Sequence, residues 1–218
     1  TTFISKTDDM CGFNIAGPKS REILQRLSNQ DLSNNNWPFM HSGRLSIAGV
    51  ECLALRISFS GDLGWEIYCD AEYQEIIYKT LIKASIIENG GPVGSRALMS
   101  LRIEKGYGSW SREYSPEVWP HESGLEKLCK LDKDFLNKRA LVENLKNEPR
   151  ERLVLIKLDE QDCKKSNADA TGGEPIFYSG KGIGRITSGA YGYNVGMSLA
   201  LGYVKDVSAG DTVDVMVL

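Results

Sequence analysis

A single carboxylate, Glu66, lies inside a largely apolar run, Trp65 to Tyr68, that has the composition of a β-strand. A charged group in such a place must offset the free energy of leaving water, through an ion pair or through a bound ligand. Arg56, on the strand-like run before a glycine-containing turn, is one candidate partner. A polar heterocycle with adjacent N–H donors is the other, because a carboxylate accepts two parallel hydrogen bonds. The residues alone leave both alternatives open.

Other catalytic and metal-binding patterns find little support. The two histidines, His41 and His121, have no neighbour at metal-ligand spacing beyond Glu122, so we predict no metal site. The run Ser179 to Arg185 resembles a phosphate-binding loop, but it precedes a strand-like segment and lacks the Gly-Lys-Ser/Thr ending, which favours a hairpin turn. Arg102 lies among other charged residues near the end of a predicted helix, which indicates a solvated face.

The composition of the 218 residues, with 41% hydrophobic and 25% charged side chains, is ordinary for a globular protein. A net charge of -3 gives no electrostatic reason to expect nucleic acid or an anionic membrane as a partner. No apolar run reaches the roughly 18 residues of a membrane span, and the first residues lack a secretory pattern. Five scattered cysteines without a CxxC motif indicate reduced thiols. We therefore expect a cytoplasmic protein.

Hydrophobic periodicity predicts the elements that would position Glu66. A strand ends at the Gly-Pro break after Ala16, and a helix with an apolar face follows Pro18. The remaining predicted elements are strands over residues 43–48, 51–59 and 65–68 and helices over residues 72–84, 96–104 and 138–147. Strands 51–59 and 65–68 are expected to meet at a tight turn. The buried face of helix 72–84 is predicted to consist of Ile76, Ile77, Leu81 and Ile82.

From Leu153 onwards the pattern changes to short strand-like runs separated by glycine and polar turns. They cover residues 153–158, 175–178, 182–188, 198–204 and 212–218. Their even spacing predicts a small antiparallel barrel or sandwich. We place a domain boundary near residues 147–152. The predicted fold class is α+β: a mixed α/β domain over residues 1–150, followed by a small antiparallel β-barrel over residues 151–218.

The run Ile57 to Tyr68 resembles the Tyr-Thr-Gly-Glu-x-Gly-(Phe/Trp)-Glu signature of the glycine cleavage T-protein (aminomethyltransferase) superfamily. Further segments match the family and occur in the same order along the chain as in the family. They are residues 14–18, 100–106, 122–125, 130–141, 187–189 and 201–204. The runs Gly-Trp-Glu-Ile-Tyr and Ile-Glu-Lys-Gly-Tyr are most similar to the folate-binding C-terminal region of dimethylglycine and sarcosine dehydrogenases.

The resemblance implies that Glu66 binds the pterin ring of tetrahydrofolate, with Ile67 and Tyr68 beside it and Phe59 lining the pocket. It implies one-carbon transfer from an N-methyl or aminomethyl amine to tetrahydrofolate, with 5,10-methylenetetrahydrofolate as product. In the dehydrogenase branch a flavin domain oxidises the amine. No flavin-binding Gly-x-Gly-x-x-Gly occurs in this sequence, so a flavin would belong to another domain or subunit.

The sequence departs from the family at several functional positions. This sequence has Phe59 at the position of the family's pocket tyrosine and Leu98 at the position of its pocket arginine. The position of a further folate-contacting tyrosine lies near Lys127. The catalytic aspartate of the family precedes the first matching segment, residues 14–18. Asp8 and Asp9 are too close to that segment to correspond to this aspartate. The catalytic residue is therefore unknown, and we expect the N-terminal part of the first domain to be missing. The alternative function is a non-catalytic folate-binding or regulatory module.

Overall fold

A computed structural model describes residues 2–166 and 168–217. The chain divides into two compact units, Thr1–Leu98 and Met99–Leu218. The boundary that the sequence places near residues 147–152 stays a prediction. None of the helices in the described part of the chain combines the length and the apolarity that crossing a membrane requires.

The first unit is built on a four-stranded antiparallel sheet with strand order β1-β4-β3-β2. The strands are β1 (Met10–Ala16), β2 (Ser42–Ile47), β3 (Val50–Leu55) and β4 (Gly64–Asp70). Two helices share its core, α1 (Ser20–Leu27) and α2 (Gln74–Ile87), and a short 3-10 turn, Ala71–Tyr73, precedes α2. These strands and helices confirm the predicted elements of this part of the chain.

Strand β4 lies in the middle of this sheet and has two chemically different faces. Trp65, Ile67 and Cys69 are buried in the core with the helices, whereas Glu66 and Tyr68 are only partly buried. Successive side chains of a strand point to opposite faces, so the second pair lies on the face away from the core. The alternation therefore presents a carboxylate and a phenol side by side on one surface of the sheet.

Two details of the first unit correct the sequence interpretation. Strand β3 ends at Leu55 and not at residue 59. The Arg56 N–H still donates to the His41 carbonyl (2.8 Å), but the Ile57 N–H then donates back to the Leu55 carbonyl (3.0 Å), a turn that takes the chain out of the sheet. The connection from β3 to β4 is consequently a loop over residues 56–63, and the prediction of a tight turn was wrong. In α2 the buried face passes through Ile77, Leu81 and Ala84, whereas Ile76 is 46% exposed and Ile82 is only partly buried.

The second unit contains a five-stranded antiparallel sheet with strand order β5-β8-β7-β6-β9. Its strands are β5 (Arg152–Lys157), β6 (Pro175–Tyr178), β7 (Lys181–Gly192), β8 (Met197–Val204) and β9 (Asp214–Val215). Helix α3 (Ser95–Glu104) spans the division between the units, and α4 (Lys138–Asn144) and α5 (Glu160–Ser166) follow it. The predicted strands are confirmed, although β9 is shorter than predicted and Leu218 lies outside the described residues. Helix α5 was not predicted.

The glycine-rich run that resembles a phosphate loop forms the β6–β7 hairpin. Tyr178 pairs directly with Lys181, which leaves Ser179 and Gly180 as a two-residue turn. Both turn residues have positive φ angles, 51° and 75°, as hairpin turns with the twist of the flanking strands require. The prediction of a hairpin turn is confirmed.

Two glycines of β7 offer a matched test of the packing of this sheet. A Cβ atom added to Gly184 would lie 1.9 Å from the Tyr203 carbonyl oxygen, whereas one added to Gly182 would meet its nearest atom at 3.9 Å. We expect Gly184→Ala to lower the free energy of unfolding by about 2–3 kcal/mol, because backbone must move, and Gly182→Ala to change it by less than about 1 kcal/mol. Urea unfolding followed by circular dichroism would measure both, and equal losses would contradict this account of the close approach.

A buried carboxylate joins the segment before β5 to the rest of the second unit. Glu122, whose side chain is 1% exposed, accepts hydrogen bonds from Arg150 Nε and Nη2 (both 2.8 Å) and from the Trp119 N–H (2.8 Å). The Arg150 hydrogen bonds are the main reason that the pKa of Glu122 falls from its ordinary value of 4.5 to about 2. The carboxylate therefore stays ionised far into the acid range.

The low pKa of Glu122 makes the stability of this unit dependent on pH. A carboxyl group whose pKa is lower in the folded state stabilises the fold above about pH 4.5, and this contribution is lost as the pH falls towards 2. For this shift the loss amounts to about 3 kcal/mol. We expect the free energy of unfolding of Glu122→Gln to fall less steeply with acidification between pH 4.5 and 2, measured by urea unfolding at several pH values. Parallel profiles for the two proteins would exclude this role of Glu122.

Candidate functional site

Glu66 lies at the centre of the face of the first sheet that points away from the core. Its strand is hydrogen bonded on both sides, and its direct cross-strand neighbours are Asn14 on β1 and Leu55 on β3. The residue is partly buried, so its carboxylate is neither fully hydrated nor withdrawn into the core. This placement agrees with the sequence argument that the charge requires a partner.

Tyr68 supplies one hydrogen bond to this carboxylate. Its hydroxyl donates to Glu66 Oε2 at 2.7 Å, and this bond, together with burial, raises the pKa of Tyr68. The phenol is therefore a donor throughout the neutral range. Its ring lies over Gly12, where an added Cβ would come within 2.9 Å of Tyr68 Cε1. A glycine at this position thus gives the ring the space from which it reaches Glu66.

The alternative that Glu66 forms a salt bridge with Arg56 is not confirmed. Arg56 lies in the loop after β3, and its Nη1 donates to the Trp37 carbonyl oxygen at 2.7 Å. Across residues 2–166 and 168–217, no ion pair to Glu66 is found, and Tyr68 is its one side-chain hydrogen-bond partner. Glu66 Oε1 is consequently left free to accept hydrogen bonds from a ligand.

The other two predicted site residues take different places. Ile67 is 0% exposed, and its side chain belongs to the core on the opposite face from Glu66, so its backbone is the part that lies beside the carboxylate. Phe59 is partly buried in the loop over residues 56–63, outside the regular strands. The structure therefore brings Glu66 and Tyr68 together directly.

A second cluster of ionised side chains, which the sequence analysis missed, lies inside the second unit. Arg102 of α3 and Glu113 are both 0% exposed, and Arg102 Nη1 lies 3.0 Å from Glu113 Oε2. The other carboxylate oxygen of Glu113 accepts hydrogen bonds from the hydroxyls of Thr187 (2.7 Å) and Ser188. The prediction of a solvated face at Arg102 was wrong, because the guanidinium is held in the interior by a partner in the following loop.

Burial and hydrogen bonding oppose each other in this pair. Burial disfavours the ionised form of Glu113, but the donors Ser188, Thr187 and the Ser109 N–H, together with Arg102, lower the pKa of Glu113 below its ordinary value. Burial is the largest influence on Arg102 and lowers its pKa, with Glu113 acting against it. The number of donors around Glu113 and the complete burial of both side chains indicate a structural ion pair that fixes the loop after α3.

Two known protein-family domains match most of the chain. Residues 1–133 match the GCVT N-terminal domain, and residues 151–218 match the glycine cleavage T-protein C-terminal barrel domain. The chain therefore belongs to the glycine cleavage T-protein family. The match confirms the predicted family and the predicted fold class, an α+β domain followed by an antiparallel barrel domain.

Individual relatives indicate two branches. Mitochondrial dimethylglycine dehydrogenase of Mus musculus is 36% identical over 200 residues, which is 91% of this chain and 22% of that protein. An aminomethyltransferase of Desulfitobacterium hafniense is 31% identical over 217 residues, 98% of this chain and 57% of that protein. The chain thus spans about a fifth of the first relative and little more than half of the second.

A solved structure supports the fold. The glycine cleavage system aminomethyltransferase T of Bartonella henselae superimposes with a TM-score of 0.76 at 22% identity, over 89% of this chain and 51% of that one. At this identity the likeness concerns the arrangement of the backbone. It shows that the chain shares the fold of that structure.

Proposed function

We propose that this chain is the folate-binding part of a protein that transfers a one-carbon unit from an N-methyl or aminomethyl amine to tetrahydrofolate. Membership of the glycine cleavage T-protein family and the two kinds of relatives support folate-dependent one-carbon chemistry of this general kind. The single observation that carries the assignment to a site is the Glu66 carboxylate, which is partly buried, oriented by Tyr68 and free of an ion-pair partner in the described part of the chain.

The residues of the site fit the polar edge of a pterin ring. A pterin presents adjacent N–H donors at its 2-amino group and N3, and a carboxylate accepts two such bonds in parallel. Glu66 Oε2 keeps acceptor capacity beside the Tyr68 hydroxyl, and Oε1 is available in full. The apolar surface beside them, including Leu55 and Leu53, offers contact area for a flat ring.

In this proposal the chain binds and orients the folate, and another group completes the chemistry. Tetrahydrofolate supplies the nitrogen nucleophile that accepts the one-carbon unit. Glu66 holds the ring at its polar edge, and Tyr68 fixes the carboxylate by its hydrogen bond. Orientation of this kind contributes to rate because the reacting atoms meet in a productive geometry. No residue of this chain is assigned the proton transfer.

The source of the one-carbon unit is proposed to be a flavin-dependent amine dehydrogenase domain or subunit. The relative with 36% identity is named a dimethylglycine dehydrogenase, and the chain matches a limited part of its length. The second candidate function is a folate-binding or regulatory module without transferase chemistry. It is favoured by the departures at Phe59 and Leu98 from the functional residues of the family.

The proposal is tested by titrating the chain with tetrahydrofolate in a calorimeter under anaerobic conditions. We expect saturable binding of one folate per chain, with the heat abolished or strongly reduced in Glu66→Ala. Formation of 5,10-methylenetetrahydrofolate when an N-methyl amine and its dehydrogenase are added would support the transferase, and binding without product would favour the module. No heat with the unchanged chain would refute both candidates.

A further inference from the structure

The Glu66 site as described lacks a hydrogen-bond donor for the ligand. A carboxylate only accepts hydrogen bonds, and the Tyr68 hydroxyl already donates to Glu66 Oε2. A heterocycle edge that carries a carbonyl beside its N–H groups would therefore have its donors satisfied and its acceptor left without a partner. Leaving a buried acceptor unpaired costs affinity.

Asn14 occupies the position from which this donor can come. It lies directly opposite Glu66 in the antiparallel pairing of β1 with β4. Its chain neighbour Ile15 is buried in the core, so Asn14 belongs to the same outward face as Glu66. Side chains that are directly opposite on two antiparallel strands have Cβ atoms about 4.5–5.5 Å apart, which lets both contact one ring edge.

The Asn14 amide is also free to bind a ligand. The residue is exposed, and within residues 2–166 and 168–217 its side chain makes no hydrogen bond. Gly12 and Ala16, the next residues of β1 on this face, have little or no side chain to obstruct a ring that lies between the two strands. The arrangement thus places an acceptor on β4 and an amide donor on β1, side by side.

We infer that Asn14 is a second ligand-binding residue of the Glu66 site and donates a hydrogen bond to a ring carbonyl whose adjacent N–H groups bind Glu66. The class of ligand is a ring with a lactam edge, an N–H next to a C=O. The inference rests on the proposed function, in which this edge is N3–H and the 4-oxo group of a pterin. A 4-amino ring lacks both the carbonyl and the N3–H of this edge.

The test measures folic acid and compares it with aminopterin, which differs at the lactam edge. Folic acid carries the 4-oxo group and N3–H, whereas aminopterin carries a 4-amino group and an unprotonated N3, so it also offers one N–H fewer to Glu66. Dissociation constants of both are measured by calorimetry for the unchanged chain, Asn14→Ala and Asn14→Asp, with Ser42→Ala as the control. Ser42 is exposed and lies in the same cross-strand row, opposite Leu55 on β3.

We expect the unchanged chain and Ser42→Ala to prefer folic acid to aminopterin. Asn14→Ala should weaken folic acid binding about tenfold, since one hydrogen bond to the carbonyl is lost. Asn14→Asp should weaken it further, because its carboxylate cannot donate a hydrogen bond and repels the 4-oxo group. Circular dichroism of each variant verifies that the fold is retained.

The outcomes separate the inference from the proposal on which it depends. If Glu66→Ala loses folate binding while both Asn14 variants keep the original dissociation constant for folic acid, the binding role of Asn14 is refuted and the proposed function stands. If the unchanged chain binds neither folic acid nor tetrahydrofolate, the proposed function fails and the inference fails with it. Weaker folic acid binding in Asn14→Asp alone would also contradict the donor role, because alanine removes the same donor.

Discussion

Replacing Glu113 with alanine should lower the free energy of unfolding of the second unit by about 3–5 kcal/mol. Glu113 and Arg102 are both 0% exposed, so the substitution leaves a guanidinium in the interior without its counter-charge. It also removes the acceptor of the Thr187 and Ser188 hydroxyls and of the Ser109 N–H. Ser188 is buried and would lose its acceptor, which adds to the cost, whereas Thr187 is only partly buried and its hydroxyl keeps the Leu201 carbonyl as acceptor (3.0 Å).

A matched pair of variants isolates the contribution of the buried charge. Glu113→Gln retains the shape and one acceptor oxygen, and we expect a loss smaller than that of the alanine variant. Glu143→Ala removes an exposed ion pair with Lys146, in which both side chains are more than half exposed (72% and 65%), and should change stability by less than about 1 kcal/mol. Urea unfolding monitored by circular dichroism measures all three. A loss below 1 kcal/mol for Glu113→Ala would show that the pair is not the structural element described above.

The second large effect is expected at Glu66, where alanine should weaken tetrahydrofolate binding by about 2–5 kcal/mol. In terms of the dissociation constant this is about 30-fold to several thousand-fold. The reason is that the pterin N–H groups would lose their acceptor, and the Tyr68 hydroxyl would lose the oxygen to which it donates. Tyr68→Phe should have a smaller effect, because it loosens the carboxylate and leaves its charge in place.

The control for this prediction is another carboxylate of the same sheet. Glu51 lies on the neighbouring strand β3, is exposed, and interacts at 3.5 Å with Arg44. Glu51→Ala changes the net charge of the chain by the same amount as Glu66→Ala, so it corrects for a general electrostatic effect on the anionic folate. We expect its dissociation constant to stay within about twofold of the unchanged chain. Equal effects of the two substitutions would remove the specific role of Glu66.

The sequence predicted the environment of Glu66 in most respects. The largely apolar composition of residues 65–68 predicted strand β4, and the structure shows that Glu66 and Tyr68 share one face of it, because alternate side chains of a strand point to the same side. The family resemblance, and not the spacing, then pointed to a pterin. The end of β3 was missed because the side-chain alternation continues to residue 59, whereas the turn at residues 55–57 is made by backbone hydrogen bonding that this pattern does not reveal.

The buried pair in the second unit could not be predicted from local patterns. Arg102 lies beside other charged residues in its helix, and in most proteins such a pattern marks a solvated face. Its burial depends on Glu113 in the loop and on hydroxyl donors from strand β7, which tertiary structure alone brings together. The loop over residues 110–116 mixes aromatic and charged residues, which favours an ordered segment but does not identify a partner for Arg102.

The most direct test of the account is a crystal structure of the chain with bound 5-formyltetrahydrofolate, a stable analogue of the reduced folate. We predict that the pterin lies on the outward face of β4, with two of its N–H groups within about 3.2 Å of the Glu66 carboxylate oxygens. The Tyr68 hydroxyl should remain hydrogen bonded to Oε2 in that complex. A pterin bound elsewhere on the chain, with Glu66 in contact with solvent alone, would contradict the central claim.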